Sequence, residues 1–114
     1  PEVPLLGTTW TLSGIVANEA VSSPVAGFPV TLVLADGTVT GKACNSFRGQ
    51  ATITGSTIKV GPLMSTKMAC ADAAATAQET TVLQTLEAAT TVTQDGAMLT
   101  LTAADGRALQ FTAE

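Results

Sequence analysis

The sequence predicts an α+β protein, mostly β: a curled antiparallel sheet or open barrel of about eight strands, with one main helix over residues 72–90 inserted before the last three strands. Three observations carry that prediction. Most of the chain alternates apolar and polar residues in twos and is rich in Thr, Val and Ile. One stretch free of glycine and proline switches to three-and-four spacing. Gly-containing pairs, Asp36-Gly37, Gly55-Ser56, Asp95-Gly96 and Asp105-Gly106, punctuate the alternating segments where tight turns are needed.

Residues 1–8, "PEVPLLGT", read as an extended lead-in or linker, because two prolines and a glycine precede any periodic pattern. The domain proper is taken as 9–114. It opens with "TWTLSGI", followed by "FPVTLVLADGTVTG" and "GQATITGSTIKVG", each broken by a turn pair into strands that pair with their neighbours. In the second segment Val30, Leu32 and Leu34 share one face, which marks that face as buried, while Val33 sits on a partly covered outer face. After Cys70 the segment "ADAAATAQETTVLQTLEAAT" places Glu79, Val82, Leu83, Leu86 and Ala89 at helical spacing, with Asp72 as the candidate N-cap. The chain then returns to period two in "TTVTQ", "AMLTLTA" and "RALQFTA". The expected interior is Trp10, Leu32, Leu34, Ile53, Ile58, Leu99, Leu101 and Phe111, with Val82, Leu83 and Leu86 laid against it from the helix.

Composition narrows the function classes. At 114 residues the chain is one domain with room for its own core. Hydrophobic residues make up 46% but aromatics only 4%, so the core is built from small aliphatic side chains. The five cations, Lys42, Arg48, Lys59, Lys67 and Arg107, are scattered singly in a chain of net charge −4, which excludes nucleic acid as a partner. No apolar run approaches the roughly 20 residues that cross a bilayer, so no transmembrane segment is expected here. There is no histidine to activate Cys44 or Cys70 as a nucleophile, nor to complete a zinc set, so neither a catalytic role nor a metal site is expected. No phosphate loop, nucleophile elbow or convincing acid pair is present, and no cofactor is implied.

The order of these signals resembles the META (HslJ-like) domain family across nearly the whole chain. The resemblance is carried by "TWTLSG" with Trp10, "LADGTVTGKACNSFRG" at 34–49, "IKVGPLMSTKMAC" at 58–70, "ETTVLQTLEAA" at 79–89 and "GAMLTLTAADGRAL" at 96–109. The joint match of Cys44-Asn45 with the segment Thr66 to Cys70 is more specific than any single piece. Ala43, Ala51 and Val82 depart from the glycine, tyrosine and aromatic common at those positions. The resemblance implies a compact barrel-like antiparallel sheet with a helix. It also implies an exported protein at the periplasm, outer membrane or cell surface, stress-related and often a lipoprotein, with no established enzyme activity. Any anchor or signal would lie outside these residues. Similarity of such domains to acyl-binding pilotins of type III secretion is at fold level only.

An exported compartment permits a disulfide between Cys44 and Cys70, which at this loop length would stabilise the fold by about 3.5 kcal/mol; two buried thiols are the alternative. Asn45 is read as a turn residue, Phe47 as a core anchor, and Gly49 as the site of a bulge or close backbone approach. The resemblance makes Thr66 part of the motif and places a frequent glutamate at Glu79. Glu79 is read as an acceptor for backbone amides, Arg48 or Lys67, since one carboxylate without a nucleophile or second acid makes no mechanism. Met64 and Met68 are assigned to core filling. Were there an acyl cavity, Leu32, Met64, Met68 and Leu101 would line it, but close packing of small side chains makes collapse the expectation. The function expected is a non-catalytic, monomeric envelope module that binds a protein or lipid partner; the alternative is a structural accessory domain of a larger surface lipoprotein.

Overall fold

The computed structural model describes residues 4–17, 20–24, 29–35, 37–43, 45–66 and 73–113. Ten strands and one helix follow in the order β1 (Thr9–Ala17), β2 (Ala20–Ser22), β3 (Thr31–Ala35), β4 (Thr38–Lys42), β5 (Ser46–Thr54), β6 (Thr57–Val60), β7 (Met64–Ser65), α1 (Ala73–Ala88), β8 (Ala89–Asp95), β9 (Met98–Ala103) and β10 (Ala108–Ala113). All strand pairs are antiparallel, and the sheet runs β10-β9-β8-β6-β5-β4-β3-β1 before β1 pairs back to β10. The barrel is therefore closed, with eight strands in the ring. The short β2 and β7 are additions that extend the edges of β1 and β5.

Closure requires strong local twist, and two bulges supply it. One lies between Leu12 and Gly14 of β1, the other between Ala89 and Thr91 of β8. The extra residue at each is a hydroxyl residue bonded to the strand opposite: Ser13 Oγ donates to the Gln110 carbonyl at 3.2 Å and Thr90 Oγ1 to the Thr102 carbonyl at 3.4 Å. Gly55 and Gly96 take positive φ, each 59°, at the first position of two-residue hairpin turns, which the twist of the flanking strands favours.

Inside the ring the predicted residues Trp10, Leu32, Leu34, Ile58, Leu99, Leu101 and Phe111 are buried, joined by Val30, Val39, Phe47 and Leu109. Ile53 and Leu83 are only partly buried, packed on the rim of this cluster. Phe47 lies opposite Gly41 across the β4–β5 ladder. A Cβ at position 41 would overlap the Thr31 carbonyl oxygen and come within 2.5 Å of Phe47 Cζ, so only glycine lets the ring lie flat on the strand.

Helix α1 starts at Ala73 and ends at Ala88, two residues short of the expected end, where the β-branched run Thr90, Thr91, Val92 returns the chain to strand. Asp72, the candidate N-cap, lies outside the described residues. Over its described residues the helix has no acid in its first turn and no base in its last, so charges within Ala73–Ala88 do not hold its ends through the dipole. Packing does. Ala75, Gln78, Val82, Thr85 and Leu86 form one buried face against β6, β9 and β10. That face covers the weakest seam of the ring, since β6 and β8 share a single bridge pair, Thr57 with Thr91, besides the Val92 amide donating to the Ser56 carbonyl at 2.8 Å.

The lead-in is tied to the barrel over residues 4–8. The Gly7 amide donates to the Leu34 carbonyl at 2.8 Å, and the indole Nε1 of Trp10 donates to the Leu5 carbonyl at 3.1 Å, which satisfies the one polar atom of the buried ring.

Three substitutions test this packing by chemical denaturation. Leu86, fully enclosed, should cost about 2–5 kcal/mol when cut to alanine. Gly41→Ala should cost about 1–3 kcal/mol, because the overlapping atom is backbone and cannot turn away. Thr85→Val should be neutral or stabilising by up to about 1 kcal/mol, since the buried Thr85 hydroxyl has no hydrogen-bond partner.

Candidate functional site

Three of the residues that carry the family resemblance, Asn45, Thr66 and Glu79, converge where the β4–β5 turn meets α1. The turn is narrow: the Ala43 amide donates to the Asn45 carbonyl at 3.0 Å. Asn45 is 7% exposed, and burial obliges its polar atoms to find partners. Glu79, on the helix, provides them. Its Oε2 accepts the Asn45 amide at 2.5 Å and its Oε1 accepts Asn45 Nδ2 at 3.0 Å, so one carboxylate closes both bonds to one residue. From the other side Thr66 Oγ1 donates to Asn45 Oδ1 at 3.3 Å, while the Thr66 amide donates to the Ser46 carbonyl at 3.0 Å. Three chain segments are thus clasped at Asn45.

A second carboxylate of the helix repeats the device. Glu87 Oε2 accepts the Leu63 amide at 2.8 Å. The segment 61–66 runs beside β5, with the Gly61 amide donating to the Gln50 carbonyl at 2.9 Å, and it bulges at Pro62 and Leu63 before Met64 pairs with Arg48. Gly49 accommodates that bulge: a Cβ there would meet Leu63 Cδ2 at 2.8 Å and the Pro62 carbonyl oxygen at 3.1 Å.

The bulge also reverses the expectation for Met64. Leu63 turns inward and packs against the core, so Met64 turns outward and is 63% exposed. It stands in a row with Arg48 and Thr40 across β7, β5 and β4. Two surface clefts flank this row. One, of about 490 Å³, is bounded by Ser46, Phe47, Ser65 and Thr66; the other, of about 400 Å³, by Thr38, Gln50 and Pro62. Leu32 and Leu101 line neither cleft, being enclosed in the core, so the proposed acyl-cavity set does not assemble around Met64. Met68, Cys44 and Cys70 lie outside the described residues.

Arg48 is not the partner of Glu79. It projects from the outer face of β5, while Glu79 is engaged with Asn45 behind the turn. Lys67, the other cation considered for Glu79, is outside the described residues. Reading by residue type found Asn45, Thr66 and Glu79 singly; their pairing joins positions 34 and 21 apart in the chain, which no local pattern encodes. The hydroxyls of Thr40, Ser46 and Ser65 at the cleft gave no signal, because threonine and serine are ordinary on outer strand faces.

Glu79→Gln keeps the shape but turns one acceptor into a donor facing a donor. The expected loss is about 1–3 kcal/mol in denaturant unfolding, and a double-mutant cycle with Asn45→Ala should show coupling between the two positions. Independent, additive effects would remove the clasp as a stabilising unit.

Comparison with known proteins fits this architecture. The META domain pattern matches residues 3–114. A protein from Burkholderia xenovorans, solved by NMR, superposes with a TM-score of 0.78 at 25% identity, over 96% of this chain and 83% of that one. A second NMR structure superposes at 0.69 with 21% identity, over 92% of this chain and 87% of the other, a likeness of fold alone. Curated proteins gave no significant match. With the family pattern spanning essentially the whole barrel, its helix and its clasp, the chain belongs to the META domain family.

Proposed function

We propose that this META domain acts in the cell envelope, after export, as a non-catalytic module that holds a partner against the outer face of β4, β5 and β7. The observation that supports this most is the pair of clefts around Arg48 and Met64, whose walls are fixed from behind by Glu79 and Glu87. A surface built on strands and braced by hydrogen bonds from the helix is pre-organised, so little ordering opposes binding. Glu79, with both oxygens engaged by Asn45, has a structural task rather than proton transfer.

The proposal includes a disulfide between Cys44 and Cys70. Its support is the convergence of their neighbours: Asn45, next to Cys44, is hydrogen-bonded to Thr66, four residues before Cys70. Alkylation and mass measurement of the exported protein should find no free thiol until reductant is added, after which stability should fall by about 3.5 kcal/mol. Two free thiols before reduction would remove the bridge.

For the module itself, a photo-cross-linking side chain is placed at Met64 in the full gene product, with Met98, 50% exposed and three strands along the ring, as the control. A discrete adduct in the envelope fraction from position 64 alone is the expected result. Absence of an adduct, or equal adducts from both positions, would overturn the reading.

A further inference from the structure

We infer that the clefts take an extended peptide segment bearing a carboxylate, with Arg48 as the group that binds it. This rests on the reading of the β4–β5–β7 face as a docking site and adds the chemistry of what docks there.

Charge comes first. Arg107 is taken up by Asp105, whose Oδ2 accepts Arg107 Nε at 2.8 Å; the Arg107 amide, donating to the same carboxylate, holds the Asp105 carboxyl below its ordinary pKa. Arg48 has no such partner. It borders both clefts, and among the described residues no carboxylate or carbonyl accepts from its guanidinium. Lys42 projects from the same outer face, diagonal to it across the β4–β5 ladder, where such neighbours lie about 7–8 Å apart. No described residue lining either cleft is acidic. In a chain of net charge −4, this is a local cationic spot without a counter-charge among the described residues.

The remaining lining selects the kind of anion. The hydroxyls of Thr40, Ser46 and Ser65 have no side-chain partner among the described residues and offer donors and acceptors to a polar main chain. Met64 adds an adaptable apolar contact. The two clefts follow one another along β5 from residue 46 to 50, a run of about 14 Å, the length of four or five extended residues. Because β5 already uses its main-chain groups in pairing with β4 and with segment 61–66, recognition here comes from side chains, and a guanidinium forking onto a carboxylate is the strongest contact available. An anionic bilayer is disfavoured, since membrane attraction needs clustered cations and the net negative charge opposes it.

The test uses the whole purified protein and two pools of N-acetylated, C-terminally amidated pentapeptides with a fixed central Glu or Gln and the other positions randomised without Asp or Glu, titrated while NMR follows the Arg48 Nε–Hε group and the Met64 methyl. Saturable shifts at both are expected with the Glu pool, with affinity about tenfold weaker for the Gln pool and for the Arg48→Gln protein, and partly restored in Arg48→Lys. Arg48 is exposed, so the variants should keep the wild-type unfolding midpoint. Equal binding of the two pools, shifts remote from Arg48, or unchanged affinity in Arg48→Gln would overturn the inference. So would phosphatidylglycerol vesicles moving the same resonances at lower concentration than the Glu pool. None of these results alters the Met64 cross-link, so the two readings fail separately.

Discussion

The antiparallel pairing of β1 with β10 is the constraint on which the rest of this structure depends. Six residues of the first long strand face six of the last, from Trp10 opposite Ala113 to Val16 opposite Ala108. Without that ladder the sheet would present two long unpaired edges, each a template for association with another chain. With it, the interior becomes a sealed cylinder, and small aliphatic side chains suffice to fill it. The bulges at Ser13 and Thr90 are subordinate to the same demand, since a ring of eight strands closes only if its members tilt and twist together.

A closed ring leaves its ends and its weakest seam to be covered, and α1 does this with an unusual division of labour. Its buried face is modest, containing alanine, one glutamine and a threonine whose hydroxyl lacks a partner. The polar side compensates: Glu79 and Glu87 each reach a backbone amide in the loops that flank β5 and β7. Hydrogen bonds to a charged acceptor contribute more than neutral ones. The helix therefore orders the β4–β5 turn and the 61–66 segment at the same time as it closes the barrel. The turn and the segment that border the outer clefts are thus held by the same helix.

Much of this was legible in the sequence, and the failures have physical causes. Period-two alternation identified the strands and most of the core, because each inward position is sealed by a partner strand. Residue type misjudged Met64, assigned to core filling as an adaptable side chain, since a bulge at Pro62 and Leu63 shifts the phase by one residue and sends the thioether outward. Alternation overstated Ile53 and helical spacing overstated Leu83, both of which pack against the core with only partial burial. Ring closure was left open between a curled sheet and a barrel, because the pairing of first and last strands is set by accumulated twist rather than by any local signal. The clasp was visible as three separate residues but not as one unit, for the same reason of distance along the chain.

The direction of the β1–β10 pair has a mechanical consequence. Because the strands are antiparallel, Trp10 near the start of one lies opposite Ala113 near the end of the other, at the same end of the cylinder. Tension applied through the segments on either side of the barrel acts across this ladder, not along it. It separates the strands pair by pair from Trp10 onward, as a zipper opens, instead of loading all the hydrogen bonds at once. The seam that seals the domain is thus the one that pulling would part first.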